Sequence, residues 1–259
     1  ITFENLRRAQ QRYTDKLVAR AEELCPAGGR ILDIGCGTGQ VMEELLREGF
    51  RVDGVIPSPA LKERVELRLA ALNPAQAPVV YGTEFENLPD SAWQPVYDLL
   101  LFSESFQYIK MEASLGRARE LLRPGGRLLI CDFFKTRHHG DGGPGDKAFG
   151  GGKRLTSFYQ RVEKYQMRIE QDDDITTAIS PSVELLDDVL RQRILPSLEA
   201  TNSFLEHRFP RLWRLIRYLF RKRWRQLSFK YLEGHRCRSV FERYKSYRLL
   251  VLTPAENDA

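Results

Sequence analysis

The chain has 259 residues, of which 42% are apolar, and this is enough to bury a substantial core in one α/β domain. No stretch approaches the roughly 20 uninterrupted apolar residues that a membrane span requires, and the opening residues, ITFENLRRAQ, lack the apolar core of a secretory signal. The cysteines (Cys25, Cys36, Cys131 and Cys237) have no paired spacing that indicates a zinc site or a disulfide framework, so we expect a cytoplasmic protein without a metal centre.

The net charge of +5 hides an uneven distribution along the chain. Residues 203–248 contain 14 Lys and Arg against 3 Asp and Glu. A block asymmetry of this kind is typical of a specific charged surface. We therefore expect a basic face in the last quarter of the chain.

Strands and helices alternate along the first half of the sequence. Helical spacing of apolar residues predicts a leading helix within residues 1–29. Short apolar strands are predicted at 30–35, 50–56, 78–82, 96–102 and 127–134, with helices at 37–49, 57–72 and 112–122 and a turn at 123–126. This alternation indicates a mostly parallel sheet with helices on both faces.

The second half of the sequence is less regular. Residues 136–153 are rich in Gly and charge and predict a mobile loop. A helix, a strand near 165–170, a long helical stretch and a terminal strand at 246–252 follow. We divide the single domain 1–259 into an N-terminal helix (1–29), an α/β core (30–181), a helical insertion (182–243) and a last strand with its tail (244–259).

The most informative segment is the turn after the first strand, which reads Asp33-Ile34-Gly35-Cys36-Gly37-Thr38-Gly39. Three glycines between a strand and a helix let a ligand approach the backbone closely, because they have no side chains. A dinucleotide-binding turn needs a glycine or alanine at position 40, where this chain has Gln. A glycine-rich turn without a ligand, or a nucleotide site of another kind, is the alternative.

The segment DIGCGTG resembles the first motif of class I S-adenosylmethionine-dependent methyltransferases. The resemblance implies a Rossmann-like fold with a seven-strand, mostly parallel sheet. It implies S-adenosyl-L-methionine as the methyl donor and S-adenosyl-L-homocysteine as its product. It also implies that Asp33 holds the amino group of the donor, and that its methionine and ribose are lined by Gly35, Cys36, Gly37 and Gly39.

Further segments follow in the order that this family has. Ile56 and Pro57 stand at the end of the second strand, where the family usually has an acid that binds the ribose hydroxyls. This departure leaves ribose recognition open, since Asp53 lies on the opposite face of the strand. Glu84 and Phe85 match the place where the family contacts adenine.

Two more residues complete the donor site that the resemblance implies. Ser103 ends the fourth strand, and Tyr13 lies in the leading helix. The segment LRPGGRLLI adds the turn and fifth strand of the family pattern.

Methyl transfer from a sulfonium depends mainly on alignment and exclusion of water, but an oxygen acceptor would benefit from a general base. Glu104 and Tyr108 follow the fourth strand, and His138 and His139 follow the fifth. Both positions lie at the carboxyl edge, where a doubly wound sheet binds ligands. These four residues are the predicted catalytic set. Packing roles for the first two, and a solvated loop position for the histidines, are the alternatives.

The order of segments after residue 170, with a helical insertion before the closing strand, loosely resembles small-molecule methyltransferases of the tocopherol, sterol and quinone type. There the insertion forms a lid over an apolar acceptor pocket. The resemblance implies methylation at oxygen or carbon of a small apolar or amphipathic molecule. An RNA- or protein-directed methyltransferase, and a catalytically silent donor-binding scaffold, are the alternatives. The oligomeric state stays open.

Residues 208–227 predict an amphipathic helix. Its apolar stripe consists of Phe209, Leu212, Trp213, Ile216, Phe220, Trp224 and Leu227, and cations occupy much of the remainder. One interpretation is peripheral contact with an anionic membrane, where each basic residue contributes on the order of 1 kcal/mol. Burial of the stripe within a lid is the other. Contact with RNA phosphates ranks third, because no RNA-binding module is visible, and we expect no nucleic-acid partner.

Overall fold

The computed structural model describes residues 3–72, 74, 76–189, 202, 204–222, 229 and 235–255. Within these ranges the chain forms β1 (Arg30–Ile34), β2 (Arg51–Val55), β3 (Val80–Tyr81), β4 (Tyr97–Ser103), β5 (Leu122–Lys135), β6 (Met167–Asp174) and β7 (Lys245–Pro254). They make one sheet in the order β3-β2-β1-β4-β5-β7-β6. The first five strands are parallel, and β7 runs antiparallel between β5 and β6. The sheet predicted from the sequence is confirmed.

Helices cover both faces of this sheet. They are α1 (Phe3–Leu24), α2 (Gln40–Arg47), α3 (Pro59–Ala70), α4 (Met111–Leu121), α5 (Leu155–Lys164), α6 (Thr176–Val189), α7 (Pro210–Leu219) and α8 (Arg238–Tyr244). Short 3-10 turns lie at Phe85–Asn87, Asp90–Ala92 and Phe106–Tyr108. The start of α3 shows how local sequence determines where a helix begins. Ser58 Oγ accepts a hydrogen bond from Leu61 N, and Pro59 occupies the first turn.

Successive strand residues point to opposite sides, so each face of the sheet has its own core. Ile31 packs with residues of α1, α2, α3 and α8, whereas its neighbour Leu32 packs with residues of α4 and α5. Burying each such side chain contributes roughly 1.5–3 kcal/mol. The two layers fix the strands, and they leave the carboxyl ends of the parallel strands at one edge.

Two segments differ in detail from the sequence prediction. The turn predicted at 123–126 is a bulge inside β5, since Tyr97 pairs with Leu122 and Leu99 with Arg127. The loop 136–153 has no helix or strand, but Ala148 and Phe149 are buried in the core, and Phe149 packs edge-to-face on Phe241 of α8 at 5.2 Å. Buried aromatic contacts of this kind anchor a segment that its glycine content alone predicts to be mobile.

The described helices include none that combines the length and apolarity of a membrane span. The predicted insertion at 182–243 is described in part, through the end of α6, α7 and α8. Residues 190–201, 223–228 and 230–234 lie outside the described part of the chain, and so does the end of the predicted amphipathic helix at 208–227.

Candidate active site

The turn between β1 and α2 forms one wall of a cavity at the carboxyl edge of the sheet. Gly35, Gly37 and Gly39 have φ angles of 80°, 56° and 76°, which glycine adopts without strain. Gly35 N donates to Val55 O at 2.8 Å, which ties the turn to β2. A Cβ built on Gly37 would meet no atom of the described residues within 4 Å. The backbone at Gly37 is therefore open to a ligand.

Asp33, at the end of β1, lines the same cavity. Its side chain is buried, and its Oδ1 has no hydrogen-bond partner among the described residues. Burial raises the pKa of this carboxyl to about 7. A buried carboxylate without a partner is costly, so the arrangement suits a ligand that brings a cationic hydrogen-bond donor.

Two cavities meet beside this turn, and we call them together the donor-side cavity, because residues predicted to hold the donor line both. The first, of about 330 Å³, is lined by these predicted residues: Tyr13, Asp33, Gly35, Cys36, Gly37, Ser103 and Glu104. The second, of about 510 Å³, is lined by Ile56, Pro57, Glu84, Phe85 and Tyr108 of the predicted set. Gly35 and Glu104 line both, so the two parts adjoin.

Gly39 lines neither part. It is the N-cap of α2, and a Cβ there would come within 3.1 Å of Val65 in α3. Its missing side chain serves the contact between helices. Gly35 lines the cavity and also allows close packing, because a Cβ there would lie 2.4 Å from Ser105 Cβ.

Four side chains form a hydrogen-bonded group where the two parts of the cavity meet. The Ser103 and Tyr13 hydroxyls are 2.9 Å apart, and the Tyr247 hydroxyl donates to Glu104 Oε1 at 2.8 Å and lies 3.4 Å from that of Tyr13. Burial raises the pKa of both tyrosines well above the usual range, so both hydroxyls stay protonated at neutral pH. Glu104 has a φ of 54°, a strained value outside glycine. The group holds a carboxylate at the centre of the site.

Tyr247 was not predicted from the sequence, although its strand was. It lies near the start of β7, which pairs Tyr247 with Phe133 at the carboxyl end of β5. The signal was present in the period-two pattern of SYRLLVL. Only the antiparallel direction of β7 brings its first residues to the ligand edge.

Asp132 is a second buried carboxylate beside the site. It accepts hydrogen bonds from Gln107 N (2.9 Å) and Phe133 N (2.7 Å), and burial raises its pKa to about 6. Through Gln107 it fixes the turn that follows Glu104.

The structure places the two predicted histidines elsewhere. His139 Nδ1 lies 3.1 Å from Asp146 Oδ1, and burial lowers its pKa. His138 N donates to Thr136 Oγ1 at 3.3 Å. Neither histidine is among the residues that line the donor-side cavity.

The surroundings of the second strand bear on how a ribose could be held there. Asp53 accepts hydrogen bonds from Arg30 Nε, Val79 N and Tyr97 Oη at 2.9, 2.9 and 3.1 Å, so it is engaged within the fold. Ile56 presents an apolar surface to the second part of the cavity. The carboxylates that line this part are instead Glu84, Glu86 and Glu104.

A family model described as a methyltransferase domain matches residues 6–171. An uncharacterized methyltransferase of Bacillus licheniformis is 32% identical over 115 residues, which are 43% of this chain and 51% of that protein. A ubiquinone biosynthesis O-methyltransferase of Xanthomonas axonopodis pv. citri is 28% identical over 114 residues, which are 43% and 46% of the two chains. The chain thus spans about half the length of the curated relatives it matches.

The fold is shared with solved structures. One is the geranyl diphosphate C-methyltransferase of Streptomyces coelicolor A3(2), in complex with Mg²⁺, geranyl-S-thiolodiphosphate and S-adenosyl-L-homocysteine. It has a TM-score of 0.65 and 14% identity, and the match covers 93% of this chain and 76% of that one. At this identity the likeness establishes the common fold.

Proposed function

This chain belongs to the methyltransferase-domain family, and from that premise we propose that it transfers a methyl group from S-adenosylmethionine to oxygen or carbon of a small apolar or amphipathic molecule. One observation carries the proposal. The bare backbone at Gly37 adjoins Asp33, a buried carboxyl group whose Oδ1 has no hydrogen-bond partner in the described part of the chain. The amino group of S-adenosylmethionine would supply that partner, so the residues present fit this donor.

The remaining cavity residues fit the rest of the donor. Gly35 and Gly37 offer backbone to its methionine part, and Ile56 and Phe85 offer apolar contact to its adenosine. When bound, the donor supplies an electrophilic methyl group on a sulfonium. The protein contributes alignment and exclusion of water, which together account for much of the rate of such a displacement.

Glu104 is the group best placed to act on the acceptor. It lines both parts of the donor-side cavity, and the Tyr247 hydroxyl fixes one of its oxygens. We assign it the role of orienting a hydroxyl or accepting its proton. His138 and His139 line neither part of this cavity, so we assign them no step.

A further cavity, of about 520 Å³, lies between α1 and α6, and we call it the α1–α6 cavity. It shares Ala9, Tyr13, Ile179 and Ser182 with the first part of the donor-side cavity. Its volume lies in the range of small-molecule sites. An acceptor of this size class agrees with two of the similar proteins, which are named for ubiquinone biosynthesis and for geranyl diphosphate.

Calorimetry with S-adenosylhomocysteine tests the donor site, with NAD⁺ as the competing coenzyme. We expect S-adenosylhomocysteine to bind and NAD⁺ not to bind; the reverse result overturns the proposal. Turnover is then measured with labelled donor on extracted pools of lipids, quinones, RNA and protein. Label in the small-molecule pools supports the acceptor class, label only in RNA or protein redirects it, and no label in any pool indicates a silent donor-binding scaffold.

We further propose that the surface around α7 contacts an anionic membrane. The exposed fractions of Leu212, Tyr218 and Phe220 are 56%, 62% and 51%, and the exposed Arg211 and Arg214 lie on the same helix. Aromatic and aliphatic side chains beside arginines are the composition of helices that lie in the headgroup region.

Flotation with vesicles tests this contact. Binding to phosphatidylglycerol vesicles at low salt, and its loss in high salt or with phosphatidylcholine alone, is expected. The double substitution Leu212→Ser with Phe220→Ser should abolish flotation. Leu67→Ser is the control, since Leu67 is 68% exposed on α3. Wild-type protein that remains at the bottom of the gradient under all conditions contradicts the membrane proposal.

A further inference from the structure

The two adjoining cavities differ in charge. Among the described residues that line the α1–α6 cavity are two cations, Arg12 and Lys16, and no Asp or Glu. Among those that line the first part of the donor-side cavity are two carboxylates, Asp33 and Glu104, and no Lys or Arg. These charges would favour a cationic donor in the donor-side cavity and an anionic acceptor in the α1–α6 cavity.

Arg12 and Lys16 are one helical turn apart and lie on the same face of α1. The next cation on the helix, Arg20, pairs with Glu23 and with Asp173. No described carboxylate lies within ion-pair distance of Arg12 or Lys16. Two like charges at this spacing repel each other, and a bound anion would relieve that repulsion.

The positive charge of Lys16 acts on a buried residue that lines the same cavity. Cys131 of β5 is that residue, and burial raises the pKa of its thiol to about 12, a rise that the charge of Lys16 opposes. The walls around the two cations are apolar and comprise Leu17, Ile175, Ala178, Ile179 and Pro181. Apolar walls can contact the apolar part of an amphiphile, and the two cations can bind its anionic group.

We propose that the methyl acceptor is an anionic amphiphile, with its apolar body in the α1–α6 cavity and a carboxylate or phosphate bound by Arg12 and Lys16. This inference rests on the proposed methyl transfer. The two cations line the α1–α6 cavity alone, whereas Tyr13 and Ile179 line the junction with the donor side. The anionic group is therefore an anchor, and the atom that receives the methyl group lies at the other end of the molecule.

The test uses two fluorescent probes with the same skeleton. 1-Anilinonaphthalene-8-sulfonate carries a sulfonate, and N-phenyl-1-naphthylamine lacks it. We expect the wild-type protein to bind the sulfonate about tenfold more tightly than the neutral probe, as two partly solvated charge contacts allow. High salt should remove this difference.

The double variant Arg12→Gln with Lys16→Gln should lose this preference and bind the neutral probe unchanged. Arg7→Gln with Arg8→Gln is the matched control, because it removes the same charge from exposed positions of α1 outside the cavity. Equal affinity of the wild type for both probes overturns the proposal. An equal loss of sulfonate affinity in both double variants also overturns the proposal. So does sulfonate binding that neither double variant alters, which would indicate that the probe binds elsewhere, for example at α7.

Two further measurements separate the possible failures. Displacement of the sulfonate by millimolar inorganic phosphate alone would show a site for free anions and contradict the amphiphile. Calorimetry with S-adenosylhomocysteine should give wild-type affinity in both double variants. If the wild type itself does not bind S-adenosylhomocysteine, the proposed function fails, whatever the probes show.

Discussion

Asp33 is a buried carboxyl group whose protonation should affect both the stability of the protein and the binding of the proposed donor. Burial raises its pKa to about 7, whereas an exposed Asp titrates at about 3.9. Between about pH 4 and pH 7 the folded state holds a proton that the unfolded chain has released. The contribution of this group to stability therefore falls as pH rises through that window, and it stays low above pH 7.

Asp33→Asn should consequently stabilise the ligand-free protein by about 1–3 kcal/mol at pH 8 and have little effect at pH 4. The same change should weaken S-adenosylhomocysteine binding at pH 8 by about tenfold or more, because the ligand's ammonium loses a charged partner. Urea denaturation at both pH values and calorimetry measure the two effects.

Asp53→Asn is the control for this prediction, because Asp53 is equally buried but accepts hydrogen bonds from Arg30, Val79 and Tyr97. It should lose stability and keep the ligand affinity. Wild-type affinity in Asp33→Asn would remove Asp33 from the donor site.

Tyr247 acts on the site through Glu104. Tyr247→Phe removes the hydroxyl that donates to Glu104, and we expect a loss of about 1–2 kcal/mol in the free energy of unfolding. Transfer of labelled methyl groups to the extract that the wild type methylates should fall about tenfold, because Glu104 would no longer be held in position to contact the acceptor. The affinity for the donor should change less than about twofold.

Tyr244→Phe provides the comparison, because the Tyr244 hydroxyl donates to Asp141, which lies outside the donor-side cavity. It should cost similar stability and leave label transfer unchanged. Equal transfer rates in the two variants would assign Tyr247 a purely structural role.

In the β1–α2 turn, the effect of a glycine substitution on backbone strain can be distinguished from its effect on ligand binding. Gly37 and Gly125 both have positive φ, and within the described ranges a Cβ at either would meet no atom within 4 Å. Changing either to alanine should therefore cost a similar amount of stability, about 1 kcal/mol. Only Gly37 lines the donor-side cavity, so only Gly37→Ala should weaken S-adenosylhomocysteine binding. Thermal denaturation and calorimetry on both variants check this, and an equal loss of affinity in Gly125→Ala would contradict it.

Most elements could be predicted from the sequence because their signals are local. Apolar periodicity located the strands β1, β2 and β4 to within one residue at either end, and the predicted helix at 57–72 contains α3. The bulge in β5 could not be predicted, because it depends on the pairing of Tyr97 with Leu122 in another strand.

The candidate site likewise contains residues with local sequence signals and residues whose places depend on distant parts of the chain. Asp33, Gly35 and Gly37, which the sequence predicts as donor-binding residues, are close together in the chain and line one cavity. Tyr247 and Arg12 reach the site from elements more than 200 residues apart, and their places depend on the direction of β7 and on the packing of α1 against α6. The histidines illustrate the converse, since a position after β5 does not ensure that a side chain faces the cavity.

At the scale of the whole molecule, the site joins distant parts of the chain. Residues of α1, β1, β4, α6 and β7 line the first part of the donor-side cavity. Ligand binding should therefore reduce local opening in α1 and α6 together.

Hydrogen exchange with and without S-adenosylhomocysteine measures this effect. We expect slower exchange in α1 and α6 and no change in α5, which lines neither the donor-side cavity nor the α1–α6 cavity. Protection confined to the β1–α2 turn would show that the helices do not close on the ligand.

The antiparallel position of β7 between β5 and β6 also bears on the order in which the protein matures during translation. A nascent chain that has already formed the glycine turn still lacks one wall of its binding site, and Glu104 still lacks its tyrosine partner, until residue 247 has left the ribosome. We therefore expect affinity for the donor to appear late in synthesis, and we expect ribosome-bound intermediates that stop short of this strand to have an incomplete site.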